Sequence, residues 1–129
     1  MVKKMTLTEK MRFAAKCGKE GRTLLIHDPN RGVQLALLSN PRITNDEVVV
    51  VAWSRSSDDD SLRRIADNHE WLKYYPVRLG LVWNPKTPLS ISTKLLNTLM
   101  PEDLSKIAKS KDLPIAVAHA ARRLILRKF

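Results

Sequence analysis

Thr44-Asn45-Asp46-Glu47-Val48-Val49-Val50-Val51-Ala52-Trp53 decides the fold class of this chain. Four consecutive valines followed by Ala52 and Trp53 have strong strand propensity and, taken alone, read as a buried β-strand. The residues just before them point the other way. Thr44 and Glu47 have the spacing of a capping box, in which the hydroxyl and the carboxylate each satisfy a free amide at a helix start. No second segment reads as a convincing strand partner. The corresponding stretch downstream, residues 91–99, places Ile91, Leu95 and Leu99 at i, i+4 and i+8. The segment is therefore expected to be a helix, apolar on every side, as a helix inside a packed layer must be.

That correspondence extends well beyond one segment. Val33-Gln34-Leu35-Ala36-Leu37-Leu38-Ser39-Asn40-Pro41 returns as Val77-Arg78-Leu79-Gly80-Leu81-Val82-Trp83-Asn84-Pro85, shifted by 44 residues. Leu62-Arg63-Arg64-Ile65-Ala66 returns as Leu104-Ser105-Lys106-Ile107-Ala108 with a shift of 42. A degenerate third copy, Pro114-Ile115-Ala116-Val117-Ala118, follows Pro76-Val77-Arg78-Leu79-Gly80 at a shift of 38. The difference between the shifts of 44 and 38 equals the length of residues 69–74, which are expected to form an extra short helical turn at one joint. The third copy lacks the Asn-Pro stop, so its helix should run on through Arg122 and Leu124 to Phe129.

A period of about 40 residues built from short helices is the mark of stacked helical repeats, each unable to bury its apolar face alone. The two apolar–Asn-Pro helix ends, together with short helices opened by Asp or Pro, resemble the HEAT-like and leucine-rich-repeat-variant families of bacterial α-solenoids. Residues 68–78 followed by Asn84-Pro85-Lys86-Thr87-Pro88 also resemble small bacterial helical-repeat proteins without an assigned function. The resemblance covers roughly residues 28–126 and implies an all-α fold. The expected architecture is a short right-handed α-solenoid of HEAT-like stacked helix pairs, about two and a half repeats long. The expected division is an N-terminal cap over 1–27, a first repeat over 28–74, a second over 75–112, and a capping helix over 113–129. Variant leucine-rich-repeat proteins can hold an iron–sulfur centre on clustered cysteines. With Cys17 alone, nothing of that cofactor carries over.

Local signals set the expected helix ends. Thr6 and Glu9 are spaced as a capping box opening a helix with Leu7, Met11, Ala14 and Ala15 on one stripe, ended by Gly18. Residues 23–26 read as an apolar turn. Asp28-Pro29 reads as cap and first residue of the helix carrying Val33, Ala36 and Leu37, which should stop at Asn40 because a residue before proline is pushed out of the α region. Ser57 with Asp60 offers a looser capping box. Pro88, Pro101 and Pro114 each suit a first helical position, where the missing N–H costs nothing.

Of 129 residues, 23 are Lys or Arg and 13 are Asp or Glu, for a net charge of +10. The excess sits at the ends: residues 1–22 carry +5, residues 122–129 carry +4, and the body between them only +1. Basic ends attract phosphates or an acidic partner. The longest apolar run, Val48–Trp53, is far shorter than the roughly 20 residues a membrane span needs. The first residues hold two lysines but no apolar stretch behind them, so no secretory leader and no membrane partner are expected. A single cysteine fits a reducing compartment, and a cytoplasmic location is expected.

The chemistry-bearing residues do not converge. His27, His69 and His119 lie 42 and 50 residues apart, and the first two fall in equivalent joints, so no metal site is expected. Cys17 stands near Lys16 and Lys19, which would lower its pKa, but a lone thiol with no helically placed His or Asn partner is expected to be inert. Asp58-Asp59-Asp60 suits the positive end of a helix dipole better than acid–base work. Gly18-Lys19-Glu20-Gly21 matches a bare Gly-x-x-Gly without the strands of a KH domain. Alkyl-purine DNA glycosylases are HEAT-like, yet their catalytic acid falls on no residue here. No catalytic residue, metal or cofactor is assigned, and the chain is expected not to be an enzyme. The candidate binding residues, for phosphate or an acidic partner, are basic: Arg12, Lys16 and Lys19 as one stripe on the first helix, Arg63, Arg64 and Arg78 in the body, and Arg122, Arg123 and Arg127 on the last helix. Trp53, Trp71 and Trp83, beside apolar segments, are expected in the core rather than free to stack on bases. The expected function is an adaptor presenting a helical face to a protein partner. The alternative is a DNA- or RNA-binding module that grips the phosphate backbone with its basic terminal helices.

Overall fold

The computed structural model describes residues 4–129; Lys3, counted in the basic N-terminal segment, lies outside the described residues. The chain is all-α, with ten helices and no strand among the described residues. They are α1 (Leu7–Lys16), α2 (Lys19–Leu25), α3 (Arg31–Leu38), α4 (Asn45–Trp53), α5 (Asp59–Ala66), α6 (His69–Leu72), α7 (Tyr75–Trp83), α8 (Leu89–Leu96), α9 (Pro101–Ala108) and α10 (Ile115–Lys128). The valine run is helical, opened by a complete Thr44–Glu47 capping box. Val48, Val51 and Ala52 are buried, while Val50 and Trp53 reach the surface. The short α6 occupies the joint where the unequal repeat shifts require an extra turn, and α10 runs unbroken to its cap at Phe129.

Several helix ends differ from the sequence expectation. Thr6 accepts from the Glu9 amide, but its hydroxyl donates to the Glu9 carboxylate, so that box is only half formed. Cys17, not Gly18, caps the end of α1; Gly18 has φ −77° and opens α2, which absorbs the expected turn at residues 23–26. Asn30 is the cap of α3, and the Asp28 carboxylate instead accepts from the Asn30 amide one turn earlier. Asp58 caps α5, while the Ser57 hydroxyl donates to the Val51 carbonyl 2.7 Å away. Pro101 is at a first helical position, whereas Pro88 and Pro114 each lie one residue earlier, at the cap.

One device recurs and ties helices together. The Asn84 side-chain amide donates to the carbonyls of Ala52 at 2.8 Å and Ser54 at 2.9 Å, and its oxygen accepts from the Lys86 amide. Asn40 does the same for the Ala14 and Cys17 carbonyls, both at 3.0 Å, and its oxygen accepts from the Arg42 amide. A helix leaves its last carbonyls without partners, and here a neighbour's asparagine supplies the donors. Accordingly α1 packs on α3 as α4 packs on α7, and α8 packs on α10.

The apolar interior falls into two clusters. Leu62, Ile65, Leu81, Leu96, Leu104 and Ile107 anchor the larger one, which runs from α3 to α10. Ala14, Leu25, Val33 and Leu37 form a smaller one beneath α1 and α2. Consecutive residues Leu37 and Leu38 divide between the two. Arg22, the one buried charged side chain among the described residues, links them: it donates at 2.8 Å to Glu47 on α4 and also to the Cys17 carbonyl.

Candidate functional site

The nine basic candidates do not form one patch. Arg12 and Lys16 share α1, but Lys19 begins a separate helix beyond the Cys17 cap, so the expected three-residue stripe is broken. Arg63 lies 3.9 Å from Asp59, and Arg64 donates to the Ser39 hydroxyl. Arg78 is held by the Leu72 carbonyl at 2.6 Å and by Thr98, with its guanidinium over the Tyr75 ring. Arg122 donates to the Ala108 carbonyl, closing the joint between α9 and α10. Among the described residues, Arg12, Lys16, Lys19, Arg123 and Arg127 are exposed and make no side-chain hydrogen bond or ion pair to another residue.

The concave features lie elsewhere, and they repeat. A cleft of about 560 Å³ opens between α2 and α4, lined by Lys19, Thr23, Ile26, His27, Asp46 and Val50 among others. A second, of about 450 Å³, opens between the end of α5, α6 and α8, and includes Asp67, His69, Leu72, Ser90, Ile91 and Lys94. His27 maps to His69 at the 42-residue shift, and Asp46, Glu47 and Val50 map to Ser90, Ile91 and Lys94 at the 44-residue shift. The same joint thus generates a histidine-lined cleft twice, with different side chains in each.

The first cleft continues past Val50 into a recess lined by His27, Val49, Val50, Trp53 and Ser54. Trp53 is 42% exposed, contrary to the expected core position; Trp71 and Trp83 are partly buried against the larger cluster. The Trp53 indole N–H donates to the Pro76 carbonyl, and the pyrrole part of the ring packs against Gly80. A Cβ at residue 80 would come within 2.5 Å of Cδ1 and 2.6 Å of Nε1. The equivalent position one repeat earlier is Ala36, so the glycine goes with the tryptophan.

Electrostatics in this cleft are largely settled from within. Burial alone would raise the Glu47 pKa, but the Thr44 backbone N–H and the Arg22 guanidinium together hold it below its usual value. Asp46 accepts from the Tyr74 hydroxyl at 2.9 Å and thereby raises the tyrosine pKa. Cys17 is buried, and burial pushes its thiol up, outweighing the lowering effect of Arg22. Among the described residues, no group of three His, Cys, Asp or Glu side chains could hold a metal ion, and no helix is long and apolar enough to cross a membrane. No protein-family model matches the chain, and no curated protein or solved structure is significantly similar to it.

Proposed function

We propose that this protein is a non-enzymatic binding module: a short right-handed α-solenoid of HEAT-like stacked helix pairs that presents one helical face to a protein partner. The observation that carries this reading is the recurrence of the cleft at equivalent joints, between α2 and α4 and again between α5–α6 and α8. Repeat proteins bind through surfaces that each unit extends, and varying side chains on a constant frame supply specificity. The repeated asparagine caps contribute to such a frame, tying the end of α3 to α1 and the end of α7 to α4 through backbone carbonyls. The buried single cysteine suits work in a reducing compartment such as the cytoplasm.

A second reading, nucleic-acid binding, draws on five terminal cations, Arg12, Lys16, Lys19, Arg123 and Arg127, that make no side-chain hydrogen bond or ion pair among the described residues, and on the net charge of +10. Salt separates the two readings. Phosphate binding falls steeply, by about 10³ or more between about 50 and 200 mM salt for six or more contacts, whereas an apolar protein interface largely survives. The test is a titration of duplex and single-stranded DNA at both salts, with wild type and a triple Arg12→Ala, Lys16→Ala, Lys19→Ala variant. The protein-binding reading predicts weak association throughout. Submicromolar binding at low salt that collapses in the triple variant would replace it with the nucleic-acid reading.

A further inference from the structure

The groove between α2 and α4, about 560 Å³ in volume, is built in a way that indicates what it receives. Along α4, Asp46, Val50 and Trp53 stand at i, i+4 and i+7; along α2, Lys19, Thr23 and Ile26 do the same. Two helices therefore turn corresponding stripes toward one furrow. The groove continues to Leu24, which is 68% exposed. At the other end Trp53 is held against Gly80 and the Pro76 carbonyl while 42% of it stays exposed. Glycine inside a helix costs about 1 kcal/mol relative to alanine, so seating this ring carries a stability cost. A half-exposed, immobilised aromatic ring beside exposed valine has the character of an anchor pocket in a protein interface.

Charge selects the occupant. Within the groove the carboxylates are engaged, Glu47 by Arg22 and Thr44, and Asp46 by Tyr74. Lys19 at one end makes no ion pair among the described residues, nor does Arg55, the residue after Ser54 at the Trp53 end. Glu20, beside Leu24, is the uncommitted carboxylate at the border. The net charge of +10 opposes a second copy of this chain and favours an acidic partner.

We propose that the α2–α4 groove docks an acidic linear segment of a partner protein, with an apolar side chain of the segment held between Val50 and the exposed part of Trp53 and its carboxylates meeting Lys19 and Arg55. This rests on the protein-binding reading and names the site and the partner chemistry.

The test is selection from a random peptide display library on the immobilised protein, followed by titration of the enriched synthetic peptides. Enriched peptides should combine Asp or Glu with Leu, Phe or Trp and should shift the tryptophan emission to the blue. Val50→Asp, a change at an exposed position, should weaken them by about tenfold or more with unchanged thermal unfolding. Gly80→Ala should weaken them as well by displacing the indole, and Leu126→Asp on α10 should leave them unaffected. Enriched peptides that are basic, or that bind Val50→Asp and Gly80→Ala as tightly as wild type, would overturn this site while leaving the protein-binding reading standing. Failure to enrich any peptide, or competition by single-stranded DNA for the same site, would overturn the inference. If the DNA titration were also positive, both readings would fall together.

Discussion

Asn84→Ala tests the joint that organises this fold. Asn84 is 2% exposed, and its amide supplies both donors that reach the end of α4, the Ala52 and Ser54 carbonyls, while its oxygen holds the Lys86 amide at 3.0 Å. Each such bond contributes about 1 kcal/mol net, and a carbonyl left buried without a donor costs about 1–3 kcal/mol. Losing all three bonds, with partial rehydration at Ser54, amounts to about 3–4 kcal/mol. For a chain of this length that lowers the melting temperature by about 10–20 °C. Asn84→Asp sharpens the prediction. The carboxylate still accepts from Lys86, but it offers no donor and puts negative charge against the negative end of α4. It should therefore cost at least as much as alanine at neutral pH. Urea unfolding followed by circular dichroism reads both variants. Losses below about 0.5 kcal/mol, the range of ordinary surface changes, or an aspartate variant clearly milder than alanine, would refute the capping argument.

Further outcomes follow from other parts of the molecule. Leu81→Ala, in the larger cluster, should cost about 4–5 kcal/mol in urea unfolding and Leu37→Ala, in the smaller one, about 2–3 kcal/mol; near-zero values at both would mean that the two sites are not core equivalents. The Glu47 pKa is lowered on folding below its ordinary value, so its contribution is present above that ordinary value and is lost as pH falls through the lower folded one. Glu47→Gln should destabilise the protein at pH 7 and flatten the acid limb of its stability profile; an unchanged acid limb would contradict this. Cys17, buried with a raised pKa, should react slowly with a thiol reagent at neutral pH. Gly21→Ala should speed that reaction, since its Cβ would meet the Cys17 Cβ and the Phe13 ring at 2.7 Å, and equal rates would argue against the tight α1–α2 contact.

Much of the fold was legible in the residues. Thr44 and Glu47 outweigh the strand propensity of four valines because the box satisfies helix-start amides locally, and residues 69–74 betray α6 through the unequal repeat shifts. What was not legible depends on distant partners. Nothing near Asn40 or Asn84 states that their amides reach back 23 to 32 residues to end another helix. The kinship of α1 with α4 rests on the same contacts, with Thr6 and Glu9 standing 38 residues before Thr44 and Glu47. At the start of α3 two polar residues flank Pro29, and it is Asn30 that caps while Asp28 accepts from the Asn30 amide.

The candidate site was less accessible. A count of charges finds Arg78 and Arg122 but not the carbonyls that already hold them. Trp53 looks like a core residue because its neighbours in sequence are apolar, yet it packs on Pro76 and Gly80 of α7 with 42% of its surface exposed. The available signal was the replacement of Ala36 by Gly80 between otherwise matching helices, which marks a place where something bulky lies on the backbone.

The most direct measurement is the mapping of amide chemical-shift changes in ¹⁵N-labelled protein during titration with an enriched acidic peptide and, separately, with duplex DNA. The account predicts that the peptide moves resonances of α2 and α4 around Thr23, Val50 and Trp53, while DNA leaves these unmoved. Peptide-induced changes confined to α1 and α10, with Val50 and Trp53 unaffected, would contradict it.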